Sequence, residues 1–241
     1  MAEPILKEKD GDVTTFILNR PEAGNRQTDA TWARLTAMIE AAAQESRLLL
    51  LKGAGDDFCL GREAMGQPGP VFEAYATRER SETIFNLYGI FRGAKVPIIG
   101  VVQGRAVGLG CALAALCDIT LASERARFQL PEMSHNIMPT IAMSALVDRV
   151  ARKAATYLVY STQEIDAHQA LVCGLVSQVV PATELDVAVA GLVDRLKKTP
   201  LPALLAVKEY ARSAFNMSTQ GANDFARNLH ATVNSFSGMR A

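Results

Sequence analysis

Two groups in this chain have the residue types and spacing to stabilise a negative charge and move a proton. The first is the glycine turn in Pro97-Ile-Ile-Gly-Val-Val-Gln-Gly104-Arg-Ala-Val-Gly108-Leu109-Gly110-Cys-Ala112-Leu-Ala-Ala-Leu-Cys-Asp118. The apolar run Val96–Val102 predicts a buried strand, which breaks at the glycines and restarts as an Ala/Leu-rich helix that Asp118 interrupts. Glycine lets a backbone bend sharply and lets a ligand approach closely. A helix beginning there points unpaired N–H groups outward, with the positive end of its dipole behind them. Such a turn can hold an anion or polarise a carbonyl oxygen. The spacing by itself better describes a tight strand-to-helix turn with no ligand. The second group is Glu132 in Phe128-Gln-Leu-Pro-Glu132. A carboxylate kept from water has a raised pKa and can exchange a proton; one at the start of a helix can also simply favour the dipole. His135, three residues on, shares its face if the segment is helical and can assist transfer. A structural or solvent-facing histidine is the plainer alternative.

The elements that must position these groups alternate. Pro4–Lys9, a turn at Asp10-Gly11-Asp12 and Val13–Leu18 predict a hairpin. Thr28 or Asp29 can cap a helix whose apolar stripe holds Trp32, Leu35, Met38, Ile39 and Ala42. Leu48–Leu51 predicts a short buried strand, Gly66-Gln-Pro-Gly-Pro70 a stretch without regular structure, and residues 71–92 a helix with Ile84, Leu87, Tyr88 and Phe91 on one face. Beyond Glu132 the pattern is mostly helical, with Leu175–Val180 as a last strand and three helical segments from about Glu184, broken at Pro200 and near Ser218. This alternation predicts an α/β fold.

Composition excludes several classes. With 241 residues, 49% of them hydrophobic, the chain can bury a sizeable core. Its 25 basic and 25 acidic side chains mark neither a nucleic-acid binder nor a membrane-surface protein. The charged N-terminus has no signal-peptide core, and no apolar stretch reaches the roughly 18–20 residues needed to span a bilayer. Cys59, Cys111, Cys117 and Cys173 form no Cys-x-x-Cys pair and fit a reducing compartment, so a cytoplasmic location is expected. A dinucleotide fingerprint fails because Leu113 stands where its last glycine belongs. No P-loop, Gly-x-Ser-x-Gly elbow or His-Glu-x-x-His helix occurs, and three scattered histidines argue against a metal site.

Five segments in order resemble the crotonase superfamily of enoyl-CoA hydratases and isomerases. Asn19-Arg-Pro-Glu-Ala-Gly-Asn25 is similar to the family's N-R-P-x-x-x-N, and Phe58-Cys-Leu-Gly-Arg-Glu63 to its F-C-x-G-x-D/E. Gln103 through Asp118 resembles its second oxyanion segment, Phe128–Glu132 its F-G-x-P-E, and Gly174–Pro181 its G-L-V-x-x-V-V-P. The resemblance implies a spiral of ββα units over residues 1–183 and a C-terminal helical region over 184–241, where relatives form trimers or hexamers. An ordinary amphipathic cap fits that region as well. The resemblance further implies that the backbone amides of Arg62 and Leu109 hold a thioester oxygen and that Glu132 transfers the proton. Arg26, Leu60, Arg62, Gly108 and Leu109 would then contact an acyl-CoA. Coenzyme A enters as part of the substrate, with no separate cofactor. Arg26 and Arg62 have guanidinium forks suited to phosphate, although surface arginines are common. Glu63 would cap or fix its loop.

Three departures bear on the reaction. Ala112 stands where hydratases carry a second glutamate, and a methyl group cannot hold a water. Ser134-His-Asn-Ile-Met-Pro-Thr-Ile-Ala-Met-Ser144 replaces a glycine-rich stretch bordering the acyl pocket, and the family's usual C-terminal tail is missing. Double-bond isomerisation is therefore expected ahead of hydration. Thioester hydrolysis or decarboxylation, and a catalytically weak binding or assembly subunit, are the other readings.

Overall fold

Short apolar runs lie side by side as parallel strands. The computed structural model describes residues 2–63 and 74–239. One six-stranded sheet has the order β1 (Ile5–Asp10), β2 (Val13–Leu18), β3 (Leu48–Gly53), β4 (Ile98–Val102), β6 (Ile119–Ser123) and β9 (Gln178–Val180). The first pair is the expected antiparallel hairpin, and every other neighbouring pair is parallel. Parallel strands covered on both faces read as unbroken apolar runs because their side chains alternate between two cores. Leu49, Leu51, Ile98 and Val102 enter the larger core, and Leu48, Leu50, Ile99 and Val101 the smaller.

The larger core is closed by α1 (Asp29–Glu45), α2 (Ala74–Gly93), α3 (Leu109–Leu116) and α4 (Thr140–Leu146). Thr28 is the cap of α1, its hydroxyl accepting from the Thr31 amide at 3.2 Å. The helix then buries Trp32, Leu35, Ile39 and Ala42, as the stripe predicts. After α5 (Arg152–Ser161) and α6 (Ala167–Val172), α7 (Leu185–Lys198) and α8 (Leu201–Ser213) cover the smaller core through Leu185, Val189 and Leu204. Helix α9 (Thr219–Asn234) packs on α8, where the Tyr210 and Phe225 rings stack at 5.6 Å, and buries no residue fully.

The structure corrects the expectations in two places. Leu175 and Val176 belong to a turn, their amides donating to the Ala170 carbonyl, so the last strand is only Gln178–Val180. A second sheet, unforeseen, joins β5 (Arg105–Val107), β7 (Arg127–Gln129) and β8 (Ile165–Asp166). Strands this short carry no readable periodicity. The predicted loop at 66–70 and the first residues of the 71–92 helix lie outside the described residues. Among the described residues, no helix is long and apolar enough to cross a membrane.

Candidate active site

The second sheet brings the two chemical groups together. β5 and β7 pair in parallel with Val107 opposite Gln129, and the Gly108 amide extends the ladder to the Gln129 carbonyl at 2.9 Å. One strand therefore runs directly into the glycine turn and its neighbour into Pro131-Glu132. Each glycine of the turn answers a local contact. A Cβ at Gly110 would fall 2.0 Å from the Cys59 carbonyl oxygen, a backbone atom that cannot give way. Gly108 has φ 55°, and a Cβ there would lie 3.3 Å from Glu132 Oε1, so the carboxylate sits directly on the turn.

The loop from Gly53 to Glu63 forms the opposite wall. Buried Asn25, at φ 58°, donates through Nδ2 to the carbonyls of Ala54 (2.9 Å), Asp57 (2.8 Å) and Phe58 (3.2 Å). Gln103 Nε2 donates to the carbonyls of Gly53, Gly55 and Asp57 at 3.0, 3.0 and 2.9 Å. These two amides explain the asparagine and glutamine of the first and third motifs: they gather the loop carbonyls and fix the loop's course. A bridge between Cys59 and Ala106 then carries the wall onto β5. A Cβ at Gly61 would lie 3.1 Å from the Val107 carbonyl and 3.7 Å from the Leu109 nitrogen, so the residues before Arg62 adjoin the start of α3. The Leu109 amide opens the first turn of α3, where no intrahelical acceptor exists.

The side chains expected around this turn divide. Glu132 is half-buried, and burial raises its carboxyl pKa, opposed by its own backbone N–H and by the nearby His135. Its Oε2 is sealed and makes no hydrogen bond among the described residues. His135 ends the short 3-10 turn Glu132–His135 and is exposed, in register with Glu132. Arg62 presents Nε and Nη2 to Asp29 at 2.9 and 2.6 Å, turning this guanidinium edge toward the start of α1. Arg26 is exposed and bonds the Ala23 carbonyl, and Leu60 packs at Gly24 with its amide on the Gly24 carbonyl at 2.8 Å. Glu63 pairs with Arg20 at 3.0 and 3.3 Å, which holds its carboxyl below the usual range. Ala112, in the first turns of α3, is fully buried. Reading the residues in order did not single out the loop-holding role of Asn25, although its place in a motif was a signal.

A glycine turn at a helix start, adjoining a second loop amide and overlain by a half-buried carboxylate on a two-sheet α/β spiral, defines an enzyme of the crotonase type. The chain belongs to the enoyl-CoA hydratase/isomerase family, whose model matches residues 8–240. It is 32% identical over 212 residues to the 2,3-dehydroadipyl-CoA hydratase of Escherichia coli K12, covering 86% of this chain and 81% of that one. It is 32% identical over 190 residues to the short-chain-enoyl-CoA hydratase of Clostridium acetobutylicum, covering 75% and 70%. The enoyl-CoA hydratase of Mycobacterium smegmatis superposes with a TM-score of 0.89 at 25% identity, covering 96% and 91%. A Thermobifida fusca putative enoyl-CoA hydratase solved in complex with CoA gives 0.86 at 28% identity, covering 96% and 93%.

Proposed function

We propose that this enzyme moves the double bond of an enoyl-CoA thioester. The amides of Arg62 and Leu109 receive the thioester oxygen, and Glu132 takes a proton from C2 and returns it at C4. Removing the C2 proton places negative charge on the oxygen, and two fixed N–H donors meet that charge as it grows. Return of the proton to C4 regenerates the carboxylate, so one base suffices and no water is consumed. The observation that carries this reading is that, among the described residues, one carboxylate is placed on the turn. Glu132 overlies the turn, whereas position 112 offers only a buried methyl group. Burial raises the pKa of Glu132, which suits a group that must both accept and release a proton. The chain continues from Glu132 into an apolar cleft of about 490 Å³ lined by Met133, Ile137, Met138, Met143, Val159 and Tyr160. Such a surface suits a hydrocarbon acyl tail.

Hydration is the second reading, favoured by the hydratase names of the relatives. Mass spectrometry of products from 3-enoyl- and 2-enoyl-CoA of equal chain length in heavy-oxygen water separates the two. Isomerisation yields the shifted alkene without label, faster than any labelled 3-hydroxyacyl product. Faster formation of the labelled alcohol from the 2-enoyl thioester would overturn the isomerase reading.

A further inference from the structure

The ion pair between Arg62 and Asp29 is a feature that the mechanism above leaves unused. The donor assigned to Arg62 is the N–H of the Gly61–Arg62 peptide, and Gly61, at φ 101°, restrains the tilt of that peptide little. The restraint comes from across the loop. The Gly61 carbonyl accepts from the Gln27 amide at 3.4 Å, and the Glu63 amide donates to the Gln27 carbonyl at 2.9 Å. A trans peptide directs its N–H opposite to its C=O, so this bridge turns the Arg62 N–H away from the segment that begins at Gln27. Two residues beyond Gln27, Asp29 opens α1 and accepts from Arg62 on both oxygens, from Nε at 2.9 Å and Nη2 at 2.6 Å. The segment Gln27-Thr28-Asp29 therefore holds Arg62 by its main chain and by its side chain.

Stability alone explains this arrangement poorly. The two side chains remain 27% and 34% exposed, and pairs so open to water contribute little to stability. The start of α1 already has Thr28 as its cap. What a bidentate fork does fix is direction, because two parallel N–H···O bonds leave the guanidinium one orientation. With the fork seated on Asp29 and the main chain bridged to Gln27, Arg62 cannot turn its amide without breaking one hold or the other. Glu63, the next residue, is tied to Arg20 in the same manner. We propose that Asp29 is a positioning residue for the oxyanion donor, holding Arg62 so that its amide keeps the direction the thioester oxygen requires. This rests on the amides of Arg62 and Leu109 receiving that oxygen.

Misplacing a group by about 1 Å can cost on the order of 100-fold in rate. Asp29→Ala is expected to lower kcat by about tenfold or more with KM within about threefold, because the donors meet a charge that grows only toward the transition state. Asp29→Asn, which retains one acceptor oxygen, is expected to fall between Asp29→Ala and the wild type. The infrared carbonyl stretch of a bound 2-enoyl thioester, isotope-labelled at the carbonyl, reads the donor directly. It should lie below its solution value in the wild type and move back toward that value in Asp29→Ala. Arg47→Met is the structural control: it breaks the 2.8 Å bond from Arg47 Nε to Asp12 at the opposite ends of β2 and β3. It should lower the melting temperature and leave kcat and the carbonyl stretch unchanged. Wild-type kcat and stretch in Asp29→Ala would overturn the assignment, as would an equal loss of kcat in Arg47→Met. If Asp29→Ala does not fold, Asp29→Asn decides by the same two readings. A stretch at its solution value in the wild type would instead remove the oxyanion reading itself, so the two failures are distinguishable.

Discussion

At opposite ends of the central strands the protein treats a carboxylate in opposite ways. Asp118, just before β6, accepts from Lys208 Nζ at 2.7 and 2.6 Å and from the Ile98 amide that opens β4 at 2.8 Å, with Arg149 4.0 Å away. Lys208 is itself buried and also donates to the Phe91 carbonyl at 2.9 Å. Glu132, beyond the far ends of the same strands, keeps an oxygen sealed from water with no hydrogen-bond partner among the described residues. Both groups lose hydration, but only Asp118 meets a buried cation and a strand amide, whereas Glu132 is offset by its own backbone N–H and the nearby His135. A buried charge with a full set of partners holds elements together. One with an oxygen left unmet keeps a shifted proton affinity. The contrast separates a group that fastens α8 to the sheet from a group whose proton affinity burial leaves displaced.

The largest effect expected is on turnover. Glu132→Gln keeps the shape and removes the base, so kcat should fall by about 100–10,000-fold with thioester affinity within a few-fold. A variant that keeps more than about a tenth of the wild-type rate in stopped assays would break the comparison at its reactive end.

The next effect falls on stability. Lys208→Met leaves the Asp118 carboxylate without its principal cation and should cost about 3–5 kcal/mol in denaturant unfolding. Replacing Asp118 and Lys208 together by apolar residues of similar size should recover much of that loss. Rates per folded molecule should stay near the wild type, because the pair lies at the end of the strands away from the turn. A single variant as stable as the parent would show that the pair is not a fastening.

The smallest effect sharpens the contrast by its sign. Burial raises the Glu132 pKa above its unfolded value, so the folded state holds the proton more tightly than the unfolded chain. The unfolded state then binds fewer protons in the intervening window, and stability falls as pH rises through it. Glu132→Gln should therefore melt above the wild type at neutral and higher pH. The difference should shrink as pH falls to the ordinary carboxylate range of about 4. A melting-temperature difference that did not change with pH would contradict a desolvated Glu132.

Much of this molecule is legible along the chain because its causes are local. The hairpin, the Thr28 cap, the buried stripe of α1, the apolar strands β3 and β4 and the three final helices follow from periodicity and turn chemistry within a few residues. The glycine turn and Pro131-Glu132 were visible for the same reason, and their order with the other segments points to the family. Only the tertiary structure decided what each polar group meets. The β5–β7 pairing that seats Glu132 on Gly108 joins segments too short to show a period. The Arg62 edge weighed for phosphate meets Asp29, 33 residues away. Asp118, read as a helix breaker, finds Lys208 90 residues on. Backbone preference is set by neighbours in sequence, whereas the worth of a charge or hydroxyl depends on desolvation and on partners that only folding supplies.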